Sequence, residues 1–362
     1  MKTYAVYFKP CGALATWPLA SDTLFGAVCW GIRLLGLMDD QRLTEWLENQ
    51  LLTPRFAFSH ALPAYYSGKT VIRCYPRPAN FYPTLPEADA LAKELEQEQK
   101  RPLKQVRIQV AKVIKEFKKV LYVSEAVLTR VLSGQLTPAK VLKSFAQEDR
   151  SFFLRGGVLG SSNEDAVLPQ RLYLTEPVQH NHIDRVGGAT AEGLLFYREE
   201  TYFAPGAGLW AVLKAVESDV DQYIRPALYC LSDTGLGADR TTGKGHFEIW
   251  VESFEFPFRS AQEKAMIILS HYLPQPGEVD LHPENQAYIL RTLRPRREKR
   301  FLRPLSPSQR SDPIYKQSIQ VFAPGSVFAL QQKKEIYGRL IRLTPEEDEP
   351  IYQSGASVVI VN

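Results

Sequence analysis

Side chains that favour strands alternate from the start of the chain. Tyr4, Val6 and Phe8 stand opposite Thr3, Ala5 and Tyr7, and Lys2–Phe8 is predicted as a first strand. The spacing then changes. After a loop over Cys11–Pro18, apolar residues recur at helical intervals (Leu24, Phe25, Val28, Cys29, Ile32, Leu35), with Ser21 or Asp22 placed to cap the helix. Thr44–Leu52 reads as a short helix stopped by Pro54, and Phe56–Leu62 as a second strand ending at Pro63. From about residue 64 to 177 the simple alternation lapses. A Pro-rich stretch, Cys74–Pro86, leads into a charged helix at about Glu87–Lys100 and a mixed basic and apolar run over Val106–Lys119. Helices are predicted at Ser124–Leu132 and at Thr137–Ala146, the second with Pro138 in its first turn. This block is read as an insertion between strands; the alternative is a separate small helical domain.

Two β-rich runs, Glu192–Phe203 and Leu209–Val216, flank Ala204–Gly208, which predicts a hairpin with a five-residue turn. A helix over Asp219–Leu231 and a strand over Phe247–Phe256 follow. Without the insertion the order is strand, helix, strand, strand, helix, strand. That is an α+β arrangement, the βαββαβ ferredoxin-like unit shared with RRM domains, and residues 1–256 are assigned to it. Residues 257–362 are expected to form a smaller β-rich domain.

Charge adds to this picture through its distribution. The formal net charge of the 362 residues is only +4. Yet Lys100–Lys119 and Arg291–Arg310 each hold eight basic residues against one acid, while Thr344–Glu349 is acidic. Clustered cations suit a polyanionic partner; a solvated surface is the plainer reading of either cluster. Four cysteines without CxxC spacing argue against zinc and against a disulfide framework, which makes a reducing cytoplasm the expected compartment. No secretory leader is expected. No apolar run reaches the roughly 18 residues of a membrane span.

The densest candidate chemistry lies between the last predicted helix and strand. Gly235, Gly237, Gly243 and Gly245 fall within eleven residues, interleaved with Arg240, Thr241, Thr242 and Lys244 and followed by His246. Glycines allow positive φ and close backbone approach, and consecutive exposed N–H groups form an anion-binding concavity. Cations and hydroxyls suit phosphate. An ordinary exposed loop is the alternative. The run is neither a Walker A nor a dinucleotide fingerprint, because Asp239 lies inside it and a strand follows it rather than precedes it.

Helix, glycine-rich basic loop, strand is the arrangement of the RAMP superfamily of CRISPR proteins, which this sequence resembles. Three further segments narrow the resemblance: Ser21–Ala27 (SDTLFGA), His180–Gly188 (HNHIDRVGG) and Phe322–Phe328 (FAPGSVF). Together with the loop they are similar to the subunit of the type III-A (Csm) effector complex that holds the 5′ handle of the guide RNA. The resemblance implies two ferredoxin-like domains, the first with the large insertion and the second degenerate. It implies a thumb hairpin at about 178–192 that wedges against RNA, with Asn181, His182, Ile183 and Arg185 as contacts and Ile183 as the apolar wedge. It brings the start of the first helix, and so Ser21, near the RNA. The expected partners are the 5′ handle of the crRNA, a large polymerase-type subunit and a backbone RAMP subunit, with no membrane, small-molecule substrate or cofactor.

No strong catalytic constellation is present. His180 and His182 share a face if extended, beside Asp184, but HExxH-type spacing is lacking and no metal site is assigned. Two enzymatic readings stay open: a crRNA-processing endoribonuclease of the same fold using His180, His182 or His246, and a backbone subunit that cleaves target RNA. A protein scaffold without RNA contact is a third.

Overall fold

A computed structural model describes residues 1–15, 17–68, 70–183, 187, 190–258, 264–282, 286–294, 317–343 and 350–362; of residues 182 and 190–194 it describes the backbone alone. The chain begins with β1 (Lys2–Pro10), α1 (Ser21–Leu34) and α2 (Asp40–Glu48), then β2 (Phe56–Phe58), β3 (Leu62–Ser67) and β4 (Thr70–Pro76). Next come α3 (Leu85–Gln99), α4 (Leu103–Phe117), β5 (Tyr122–Ser124), α5 (Glu125–Leu132), α6 (Pro138–Gln147), β6 (Phe152–Arg155) and β7 (Val158–Ser161). A long hairpin, β8 (Tyr173–Ile183) and β9 (Thr190–Phe203), precedes β10 (Ala207–Ala215). After α7 (Glu217–Asp219) and a π-helical turn over Val220–Ile224, α8 (Arg225–Thr234) leads through the glycine-rich loop to β11 (Phe247–Ser253).

Helix starts follow the local chemistry. Asp39, Ser124 and Thr137 each accept a backbone N–H in the first turn of α2, α5 and α6, and Thr84 with Glu87 closes a capping box at α3. The first helix departs from expectation. Ala20 occupies its cap position, and neither Ser21 nor Asp22 caps it. Both side chains are spent on a distant part of the chain: the Ser21 hydroxyl accepts the His271 N–H at 2.9 Å, and Asp22 receives His271 Nδ1 at 3.0 Å and Gln353 Nε2 at 2.7 Å.

One sheet runs β11-β1-β10-β3-β4-β5-β7-β6, with β2 also paired to β10. Its β11-β1-β10-β3 portion is antiparallel throughout, and β5–β7 is the one parallel pair on the path. Helices α1 and α8 cover this portion so closely that a Cβ on Gly31 would sit 2.9 Å from the Ala227 Cβ. The predicted second strand is in fact two, β2 and β3, parted at Ser59–Ala61, and Pro63 lies within β3 opposite Leu209. Pairing with β4 begins only at Ala64, so Pro63 has a strand neighbour on one side alone. The insertion adds four helices and strands β4–β7 to the same sheet, and its apolar residues join one continuous core with β1, α1 and β10. The predicted β9–β10 hairpin is also corrected. β9 pairs backward with β8 over its length, whereas β10 pairs with β1, β2 and β3, so the Gly-rich turn passes the chain from one sheet to another.

Beyond β11 the chain is mostly strand: β12 (Ala265–Ile268), β13 (Gln286–Ala287), β14 (Leu290–Leu293), β15 (Ile319–Phe322), β16 (Val327–Ala329), β17 (Leu340–Arg342), β18 (Tyr352–Ser354) and β19 (Val359–Val361). Four of these form a sheet ordered β13-β16-β12-β19 around Met266, Ile268, Tyr272, Phe322 and Phe328. The FAPGSVF segment turns between β15 and β16 at Gly325, where φ is +89° and a Cβ would lie 2.6 Å from the Arg77 carbonyl oxygen. Only glycine fits there. The architecture is mixed α+β, and no helix among the described residues is long and apolar enough to cross a membrane.

Candidate RNA-binding site

The glycine loop is built by its own backbone. Gly235 ends α8 with φ at +80°, and its N–H donates to Leu231 O. Leu236 N donates to Gly245 O at 2.7 Å, and Gly245 N to Ala13 O at 2.8 Å, which ties both ends of the loop together and to the segment after β1. Cys11 N adds a bond to His246 O at 2.9 Å. Gly245 is buried, with φ at +70°, and a Cβ there would overlap the Leu236 carbonyl oxygen. Its role is therefore in the fold. Gly243 is different: it is exposed, at φ +81°, with nothing near its missing Cβ.

Asp239 holds the middle of the loop. It adopts φ +57°, a left-handed backbone conformation unusual for a residue with a side chain. Its carbonyl accepts Thr242 N at 3.0 Å, Thr242 Oγ1 at 2.8 Å and Lys244 N at 3.4 Å. Gly243 N donates to Arg240 O at 3.1 Å. The N–H groups of residues 242 to 245 are thus taken up by carbonyls of the loop and of Ala13, and the expected concavity of free N–H groups is not formed by them. Gly237, half-buried, bends at φ +83°. Arg240 is half-buried and Thr241 exposed within the single helical turn Arg240–Thr242.

The β8–β9 hairpin stands beside this loop. At its base Leu14 bridges Thr201, and the Trp17 ring lies 4.4 Å from that of Tyr173. Alternate residues of β9 share a face, which gathers Phe196, Arg198, Glu200 and Tyr202. Glu200 is only 2% exposed. Its carboxylate accepts Lys244 Nζ at 2.6 Å and the Tyr202 hydroxyl at 2.8 Å, and His180 Nε2 lies 3.2 Å away. Burial alone would raise this carboxyl; the hydrogen bonds from Lys244 and Tyr202 and the Lys244 charge outweigh it and hold the group below the usual carboxylate range. The Lys244 ammonium is raised in return, first by its hydrogen bond to Glu200. One step along, Arg198 pairs with Asp239 and lies over the Phe196 ring at 5.0 Å, while His180 stacks on the same Phe196 ring at 5.4 Å.

The predicted residues fall into four groups. The loop residues Gly235 to His246 are brought together, as expected. Asn181 and Ile183 lie toward the far end of the hairpin, where Asn181 is exposed and Ile183 is 57% exposed; Ile183 pairs with Thr190 past an irregularity in register. The His182 side chain and Arg185 lie outside the described residues. Ser21 is not part of the site, since it is buried and its hydroxyl already holds His271. Glu200 and Arg198 were missed. Their only sequence signal is that they stand at alternate positions between Phe196 and Tyr202 on one face of a strand. Among the described residues, no three or more His, Cys, Asp or Glu side chains are grouped to hold a metal. The first basic stretch forms α4, whose exposed side includes Lys104, Lys112 and Lys115, with Arg107 paired to Asp89. Residues 295 to 310 of the second lie outside the described residues.

No family model matches the chain. Over 92 residues it is 33% identical to the CRISPR system Cms protein Csm4 of Thermococcus onnurineus (strain NA1), a match spanning 25% of this chain and 30% of that protein. In fold the similarity is end to end. A chain of the Csm3–Csm4 subcomplex in the type III-A CRISPR-Cas interference complex aligns over 99% of this chain and 98% of its own, with a TM-score of 0.62 at 13% identity. The Csm1–Csm4 cassette in complex with pppApA aligns over 100% and 98%, with a TM-score of 0.54 at 18% identity. The chain thus shares one stretch of sequence with a Csm4, spanning under a third of that protein, and shares its fold end to end with chains of Csm complexes.

Proposed function

We propose that the chain is the RNA-binding, non-catalytic subunit of a type III-A CRISPR effector complex. It caps and anchors the 5′ repeat-derived handle of the crRNA and joins the large polymerase-type subunit to the backbone subunits in antiviral defence, in the cytoplasm. The observation that carries this reading is the pairing of a glycine-rich basic loop with the base of a projecting hairpin whose far end exposes Ile183. Proteins of this fold occur in complexes with Csm1 and with Csm3, which supports the same two partner types here. The contacts assigned to RNA are Arg240, Thr241, Gly243, Asn181 and Ile183, with His182 and Arg185 beside them in sequence. Exposed apolar and aromatic side chains of the hairpin suit splayed, single-stranded bases.

Residues 1–256 are assigned to a first ferredoxin-like domain and 257–362 to a second, degenerate one. The first assignment is supported by the strand order β11-β1-β10-β3 with α1 and α8 as its two crossover helices. The curated relative is a Csm4, which lends support to the non-catalytic reading over its two enzymatic rivals. Purification of the assembled complex tests the reading. One guide RNA per copy of this chain is expected, with weaker retention when the handle is scrambled, and repeat RNA incubated with the chain without metal should stay intact. Several copies per guide would favour the backbone subunit, and metal-independent cutting at the handle boundary the processing nuclease.

A further inference from the structure

Lys244 is one of the two cations of the glycine loop, yet its charge is already committed. It meets Glu200, a carboxylate almost wholly removed from water, at 2.6 Å, and is itself only 24% exposed. A buried carboxylate without a partner cation is strongly unfavourable, so turning Lys244 outward to a phosphate would strand Glu200. Tyr202 and His180 approach the same carboxylate, and Arg198 repeats the link to the loop at Asp239. All the β9 members of this set lie on one face of the strand.

We propose that Lys244 is a positioning residue and not a phosphate ligand: with Glu200 it forms a charge-neutral strut that fixes the glycine loop against the base of the hairpin, so that neighbouring loop residues meet the RNA. This rests on the RNA-binding function proposed above. A neutralised lysine releases no counterion from the nucleic acid, which gives the proposal a distinctive signature. For single strands, log affinity against log salt has a slope of about −0.7 per phosphate neutralised.

The test uses the full chain co-purified with the backbone-type RAMP subunit of the same organism and a labelled RNA of repeat handle plus short spacer, titrated at several salt concentrations. Lys244→Gln is expected to weaken binding by about tenfold or more at every salt concentration, with the slope unchanged. Glu200→Gln frees the ammonium and should steepen the slope by about 0.7. The double variant, a neutral amide pair of similar shape, should return affinity and slope close to the parent. A slope shallower by about 0.7 for Lys244→Gln, with no rescue in the double variant, would overturn the proposal while leaving RNA binding intact. If Lys244→Gln does not fold, the double variant decides alone: the parental slope supports the strut, and a shallower slope refutes it. A parent complex that binds native and scrambled handles equally removes the functional reading, and the proposal with it.

Discussion

Replacing Asp22 by Asn should loosen the union between α1 and the C-terminal strands, and by an amount that depends on pH. Asp22 is largely buried, and burial alone would raise its carboxyl. His271, by hydrogen bond and charge, then Gln353 and the His60 ring outweigh this and hold the carboxyl at about 2, against an ordinary value of 3.8. A difference of about 1.8 units at 1.36 kcal/mol per unit corresponds to about 2.5 kcal/mol. Because the folded value is the lower one, that stability is fully present above pH 3.8 and is lost as pH falls through 2. Near pH 3 about half of it should remain. Asn keeps the shape and an acceptor for His271 but cannot carry the charge. Urea unfolding of parent and Asp22→Asn, followed by circular dichroism at pH 7 and pH 3, measures the difference. His60, buried and held neutral by that burial and by neighbouring His271, adds a loss that begins below pH 6.5. The Asp22 charge favours the protonated form of His60, so this loss differs between the two proteins below pH 6.5, and pH 7 is where the comparison is free of it. A gap that is absent at pH 7 refutes the reasoning.

Other substitutions separate fold from function. Gly245→Val should sharply reduce stability, because a Cβ overlaps the Leu236 carbonyl, whereas Gly243→Ala should cost only about 1 kcal/mol for its left-handed backbone; thermal melts compare the two. Ile183→Gly should leave the melting temperature unchanged, since the side chain is exposed, but change protection of the guide near the handle–spacer boundary; an altered footprint only far along the spacer contradicts the hairpin assignment. Thr84→Ala removes the half of the α3 capping box in which the Thr84 hydroxyl accepts the Glu87 N–H, leaving the Thr84 N–H bond to Glu87, and should cost about 0.5–2 kcal/mol in urea unfolding, with guide binding unaffected.

What the sequence disclosed depended on how far away the deciding partner was. Thr137 with Pro138, and the alternation in β1, act within a few residues, and both elements formed where expected. Ser21 shows the limit. Its position before an apolar helical stripe is that of a cap, but His271, 250 residues away, takes its hydroxyl. The Ala204–Gly208 turn likewise carries a hairpin signature, yet it cannot say that β9 has already paired with β8. Glu200 was invisible for the same reason: one of several acids in a strand, it acquires meaning only when the fold brings Lys244 to it. The loop glycines were legible as a group, but not the division between Gly245, which the backbone needs, and Gly243, which faces open space.

The continuity of the large sheet through the insertion has a consequence for anyone trimming this protein. The end strands of that sheet are β11 and β6. Excising residues 70 to 161 would move an edge to β3, in what is now the interior of the sheet. The backbone of Ala64–Ser67, at present satisfied by β4, would become an open row of donors and acceptors flanked by Tyr65 and Tyr66. Such an edge is a template for pairing with another chain. A shortened version would therefore emerge as a self-associating species rather than a smaller monomer, unless a charge or a proline were placed on β3 to block the added strand.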